Sequence, residues 1–160
     1  MMATPHIFAG AAIGGVLHRR PCIALPAAFA SHFALDAVPH LDSNDLFGSP
    51  TGMTVPEVGI AMADFALAWL LVALMTRSKP WRAMALWGAL CAIGIDLVYT
   101  IPPWGPWLSE WPGTAWLEQF HHGIQPDVSP DNLLLGFGTQ AAVIAAATWV
   151  LLRRQPASDL

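Results

Sequence analysis

Twelve residues of the chain, SHFALDAVPHLD at 31–42, carry four side chains that can bind a metal or move a proton: His32, Asp36, His40 and Asp42. His32, Asp36 and His40 are spaced i, i+4, i+8, so a helix would place them on one face. Pro39 is expected to end the regular helix and leave the loop to turn His40. Neutral imidazole beside carboxylate suits zinc, and also iron or manganese. A second set of candidate ligands follows later: Asp96 and the His121–His122 pair of FHHG. Asp64 can serve as a ligand, as a bridging carboxylate, or as an acceptor that orients a ligand histidine. His6, near the start, stands between a metal ligand and an interfacial polar residue.

Plainer roles stand beside each of these. His32 and Asp36 can simply hydrogen-bond two helices together, and PHLDSND can be an ordinary polar turn. Asp64 and Asp96 are each a lone acid in an apolar helix, and such acids are costly enough in a membrane to mark function. Adjacent helical residues point in different directions, so only one of His121 and His122 is expected to face a site. His18, Asp127 and Asp131 read as solvated or capping residues.

The elements that must position these groups are apolar. The chain has 160 residues, 55% hydrophobic and only 11% charged, where a soluble domain carries about a quarter charged residues. Five apolar segments run roughly over 5–17, 22–38, 57–76, 81–101 and 131–152. They predict an all-α fold, a polytopic membrane helix bundle with about five apolar helices. Residues 1–154 are expected to form one integral membrane domain, and 155–160 a short polar tail. A full span needs about 20 residues; the last three segments qualify and the first two are short. The start has no basic region ahead of its apolar run and is read as a retained span rather than a cleaved signal. Ser129, Pro130 and Asp131 read as the N-cap and first turn of the last helix. A net charge of −4 without a basic run gives no sign of nucleic-acid binding. Cys22 and Cys91 lack CxxC spacing and are expected to be small buried hydrophobes.

The basic residues fall in three places. Arg19 and Arg20 follow the first segment, Arg77, Lys79 and Arg82 separate the third from the fourth, and Arg153 and Arg154 follow the fifth. With five spans all three lie on one side, so the positive-inside rule predicts the N-terminus outside and the C-terminus in the cytoplasm. His6, His32, Asp36, His40, Asp42, Asp64, Asp96, His121 and His122 then gather towards the outer face. A channel or carrier needs polar groups through the full depth, and the cytoplasmic halves of these segments carry almost none. Trp104, Trp107, Trp111 and Trp116 sit in IPPWGPWLSEWPGTAW. They suit an interfacial belt, which can double as a lid over an entering lipid headgroup. The prolines and glycines among them argue against one continuous helix.

TPHIFAGAAIG at the start, SHFALDAVPHLD and the later FHHGIQ together resemble the small inner-membrane metal-dependent hydrolases of the YdjM type. The H-x3-D…H core is distantly similar to the zinc-dependent phospholipase C and single-strand nuclease superfamily. The spacing here is H-x3-D-x3-H, whereas the soluble enzymes place the last histidine farther on. The resemblance implies a bacterial inner-membrane protein whose site faces the periplasm. It implies metal ligands among His6, His32, Asp36, His40, Asp96, His121 and His122. The expected cofactor is a divalent transition metal, zinc before others. The expected activity is hydrolysis of a phosphate ester of a membrane lipid or lipid-linked substrate. Asp42 or Asp64, left uncoordinated, would act as general base. Two other readings use the same residues: a non-catalytic metal-binding subunit of a membrane complex, and a metal or proton transport protein.

Overall fold

The computed structural model describes residues 1–41, 54–100, 104–126 and 132–153. Asp42, Asp127 and Asp131 lie outside the described residues, as does the capping expected of Ser129, Pro130 and Asp131. The described chain is all-helical. Its elements are α1 (Ala3–Val16), α2 (Pro21–Asp36), α3 (Val55–Met75), α4 (Arg82–Thr100), α5 (Trp104–Glu110), α6 (Ala115–Gly123) and α7 (Leu133–Arg153). Each of the five apolar segments forms a helix. Three of them, α3, α4 and α7, are long and apolar enough to cross a membrane, against the five expected. The reason is length. At 14 and 16 residues, α1 and α2 extend about 21 and 24 Å at 1.5 Å per residue, short of a hydrocarbon core of about 30 Å.

α1 compensates by being central. It packs on α2, α3, α4 and α7, most extensively on α4. A helix that is apolar all round belongs inside a protein, and Ile7, Phe8, Ala11 and Ala12 of α1 join the core with Ala85, Ala89 and Ile93 of α4. Small residues allow the close approach. A Cβ on Gly10 would lie 2.4 Å from the Gly88 carbonyl oxygen, and one on Gly88 2.3 Å from that of Gly10. Backbone-to-backbone packing of this kind is how helices associate where apolar surroundings give no hydrophobic drive. The outward faces of α3, α4 and α7 present Leu70, Leu74, Trp87, Leu134 and Trp149, the apolar surface a lipid-facing bundle requires.

α3 opens with a capping box between Thr54 and Glu57, with Pro56 in its first turn. The tryptophan-rich stretch breaks as its prolines and glycines predict, into the short helices α5 and α6 joined at Trp111–Thr114. The Tyr99 hydroxyl donates to the Thr114 carbonyl at 2.9 Å, tying that joint to the end of α4. Cys22 and Cys91 are both free, but Cys22 is exposed rather than buried; it lies in the first turn of α2, away from the core.

Candidate metal centre

Four helices bring their ionisable groups to one place. α1 supplies His6, α2 supplies His32 and Asp36, α4 supplies Asp96, and α6 supplies His121. The i, i+4 spacing does what it predicts: His32 Nε2 lies 3.0 Å from Asp36 Oδ2. His121 Nε2 lies 2.7 Å from the same carboxylate oxygen and 3.0 Å from His32 Nε2. Asp96 Oδ1 closes the group, 3.3 Å from His32 Nε2 and 3.8 Å from His121 Nε2.

The separations of the two imidazole nitrogens from each other and from the two carboxylates run from 2.7 to 3.8 Å, and His32, Asp96 and His121 make one possible ligand triad, His6, His32 and Asp36 another. Metal–ligand bonds of about 2.0–2.1 Å at tetrahedral angles put ligand atoms about 3.3 Å apart. The orientation of the ring points the same way. The Nδ1–H of His32 donates to the Ala92 carbonyl at 2.7 Å, so Nε2 faces inward, where a metal would displace its proton and take the lone pair. That backbone contact fixes the tautomer and the ring angle, as it does for metal-bound histidines in general. Two carboxylates and two inward imidazole nitrogens at these distances need a cation among them, either protons on the rings or a metal ion.

His6 extends the group on the other side of Asp36. Its Nε2 is 3.1 Å from Asp36 Oδ1, and its ring stacks on His32 with centroids 4.2 Å apart. The contact is off-line for a hydrogen bond, and both ring nitrogens of this fully buried histidine lack a hydrogen-bond partner. Buried polar atoms are rarely left so; a ligand nitrogen is one explanation that removes the cost. His6, His32, Asp36, Asp96 and His121 therefore form a group that could hold a metal ion. Phe33 sets its ring edge-on to both His32 and His121 and walls the cluster with hydrocarbon.

The other expected site residues fall elsewhere. His40 is buried, and its Nδ1–H donates to the Val38 carbonyl at 2.7 Å. Its Nε2 is 2.7 Å from the Met1 nitrogen, which is itself 3.1 Å from Asp36 Oδ1. His40 thus borders the cluster through Met1. His122 is exposed and stacks on His121 with centroids 5.5 Å apart; of the pair, the structure brings in His121. Asp64 goes to the start of α1. Its Oδ2 accepts the Thr4 backbone N–H at 2.9 Å, and its Oδ1 accepts the Thr4 hydroxyl. Met2 at the N-cap of α1 makes no side-chain cap, so the carboxylate of another helix satisfies an N–H that the first turn leaves over. Asp64 holds the turn that carries His6.

Two glutamines belong to the site although their sequence positions were not singled out. Gln140 of α7 accepts the Met2 N–H at 3.2 Å and donates to the Leu41 carbonyl at 2.8 Å, clamping the chain beside His40. A lone amide in an apolar helix is the same kind of signal as Asp64 or Asp96. Gln125, four residues after His121, brings its Nε2 to 3.3 Å from His121 Nε2. Between α4 and α5, Leu97, Val98, Trp104, Trp107 and Leu108 line a wholly apolar crevice of about 350 Å³. No family model matches the chain, and neither a curated protein nor a solved structure is significantly similar to it.

Proposed function

We propose that this chain is a membrane-embedded, metal-dependent hydrolase. Its His/Asp site lies near the outer leaflet, and its substrate is a phosphate ester of a lipid or lipid-linked molecule. One observation carries the reading: the His32 and His121 nitrogens each lie 2.7–3.8 Å from both Asp36 and Asp96, brought together from three helices, with His32 Nε2 turned inward by the Ala92 contact. His32, His121, Asp36 and Asp96, with His6, would hold a divalent metal, zinc before others, which would supply Lewis-acid polarisation of a phosphoryl oxygen and a water of pKa about 7.

The chain's own residues set the rest. Asp36 and Asp96 supply the negative charge that holds a cation, and Ala92 orients the His32 ring. Asp64 is engaged at Thr4, so of the two acids expected as general base the role falls to Asp42. The apolar crevice between α4 and α5 supports a lipid substrate, because its lining offers a hydrocarbon chain only apolar side chains. The segregation of Lys and Arg supports an outer-face site in a bacterial inner membrane, with the N-terminus outside. Among the described residues of α3, α4 and α7, Glu57, Asp64 and Asp96 lie towards the ends away from Arg77, Lys79 and Arg82, which disfavours a path through the full depth.

The test is elemental analysis of protein purified in detergent without chelator, followed by hydrolysis assays on phosphate-ester lipids. Bound zinc with turnover that Asp42→Asn abolishes while zinc stays is the expected result. Bound metal with no turnover on any phosphate ester would favour the non-catalytic subunit, and absence of metal would sink the whole reading.

A further inference from the structure

We propose that Gln125 is the hydrogen-bond donor that grips the charged phosphoryl oxygen of the substrate at this site. The inference rests on the hydrolase reading above. It starts from a shortage. Around His121 and Asp96 the converging side-chain atoms are carboxylate oxygens and imidazole nitrogens. An anionic substrate approaching two carboxylates needs donors as well as a cation. Arg19 and Arg20 follow α1, Arg77 and Lys79 lie between α3 and α4, Arg82 opens α4 fourteen residues before Asp96, and Arg153 and Arg154 end or follow α7, so no Lys or Arg lies at the end of α4 that carries Asp96.

Gln125 meets the shortage by position. It lies just past the end of α6, one helical turn after His121, and its Nε2 is 3.3 Å from His121 Nε2. It is half-buried, and His121 Nε2, which it meets, is also 3.8 Å from the partly exposed Asp96 carboxylate. His121 Nε2 donates to Asp36 Oδ2 at 2.7 Å, so it gives the neighbouring amide no acceptor, and a bound metal would take the same nitrogen; either way the amide N–H groups are left for another acceptor. A carboxamide offers two N–H donors without a charge. An Arg or Lys at that distance would repel the metal; an amide does not. Donors placed where charge develops are commonly the largest single contribution of a hydrolytic site.

The competing role is positional: Gln125 could merely orient the His121 ring. Outer hydrogen-bond partners of metal-bound histidines cost 10–100-fold in metal affinity when removed, so the two roles separate by measurement. The experiment uses the full chain in detergent, loaded with zinc, and inorganic phosphate as the probe, titrated by calorimetry. Wild type, Gln125→Ala and Gln125→Glu are compared for zinc affinity and then for phosphate affinity. The expected result is unchanged zinc affinity in Gln125→Ala with phosphate bound about ten- to a hundred-fold more weakly, the range for a hydrogen bond to a charged group. Gln125→Glu should keep zinc and bind phosphate more weakly still. Equal phosphate affinity in wild type and Gln125→Ala, or no phosphate binding by wild type, would overturn the proposal. Parallel loss of zinc in Gln125→Ala would assign the residue to positioning instead. A wild type that takes up no zinc sinks the metal reading itself, an outcome distinct from zinc retained with phosphate unaffected.

Discussion

Asp36 is the hub of the cluster, and Asp36→Asn is the most informative single change. The carboxylate is 1% exposed and touches His32 and His121 through Oδ2 and His6 through Oδ1. Asparagine keeps the volume and removes the charge and one ligand oxygen. Losing a group that only supports a ligand costs 10–100-fold in metal affinity, so losing a direct ligand should cost at least 100-fold. The consequence for stability follows from linkage. At a free metal concentration 100 times the wild-type dissociation constant, binding stabilises the native state by about 2.7 kcal/mol. A 100-fold weaker site at the same concentration gives RT ln 2, about 0.4 kcal/mol. The metal-dependent part of stability should therefore fall by about 2.3 kcal/mol. The assay is denaturation in detergent with and without zinc, each protein referred to its own metal-free state. That reference matters, because Asp36→Asn also breaks hydrogen bonds that contribute to absolute stability without metal. An Asp36 that serves only as a hydrogen-bonding hub would lower both curves equally and leave the zinc increment intact. An unchanged increment in the variant would refute the ligand assignment.

The histidine pair should divide sharply: His121→Ala is expected to lose metal at least 100-fold, while His122→Ala, whose side chain is exposed, should leave metal affinity within a few-fold in the same zinc titration. Asp64→Ala should cost about 1 kcal/mol, the usual penalty for losing a helix cap, with zinc still bound; loss of zinc from folded protein would instead make Asp64 part of the metal shell. In a background free of Cys22 and Cys91, Glu110→Cys should label from outside intact cells and Ser78→Cys should not, both positions being exposed; the reverse pattern would invert the topology proposed from Lys and Arg.

The sequence made the axial coordinates of the site legible and left the angular ones hidden. Counting residues along apolar segments puts His6, Asp36 and Asp96 at similar depth, because rise per residue is nearly fixed, and the histidine pair falls in the loop on the same side. It also marked the break in the tryptophan stretch, since proline and glycine act locally. Which way a side chain faces depends on the partner helix, and no local rule supplies that. Asp64 shows the difference. Its depth suggested the metal site, yet its carboxylate meets Thr4, because α1 begins with a methionine cap and needs an acceptor from elsewhere. The choice of His121 over His122 depends in the same way on the rotation of α6. Gln125 carries no local mark, as an amide in a turn; only its return to His121 gives it a role.

The short first helix joins these points. Read as a span, α1 is deficient; read as the centre of the bundle, its composition is explained. Its glycines let it press against α4, its second turn holds His6 against His32 and Asp36, and its first turn is fixed by Asp64 of α3 and Gln140 of α7. Contacts from three helices thus set the height and rotation of one imidazole. A residue larger than glycine at position 10 or 88 would meet backbone, not a flexible side chain, so α1 could accommodate it only by moving away from α4. That movement would shift His6 relative to Asp36 and His32, which is held to α4 by the Ala92 carbonyl. The small-residue contact and the ligand geometry are therefore one structural requirement: the same close approach that packs the core also brings the ligand atoms within reach of one another.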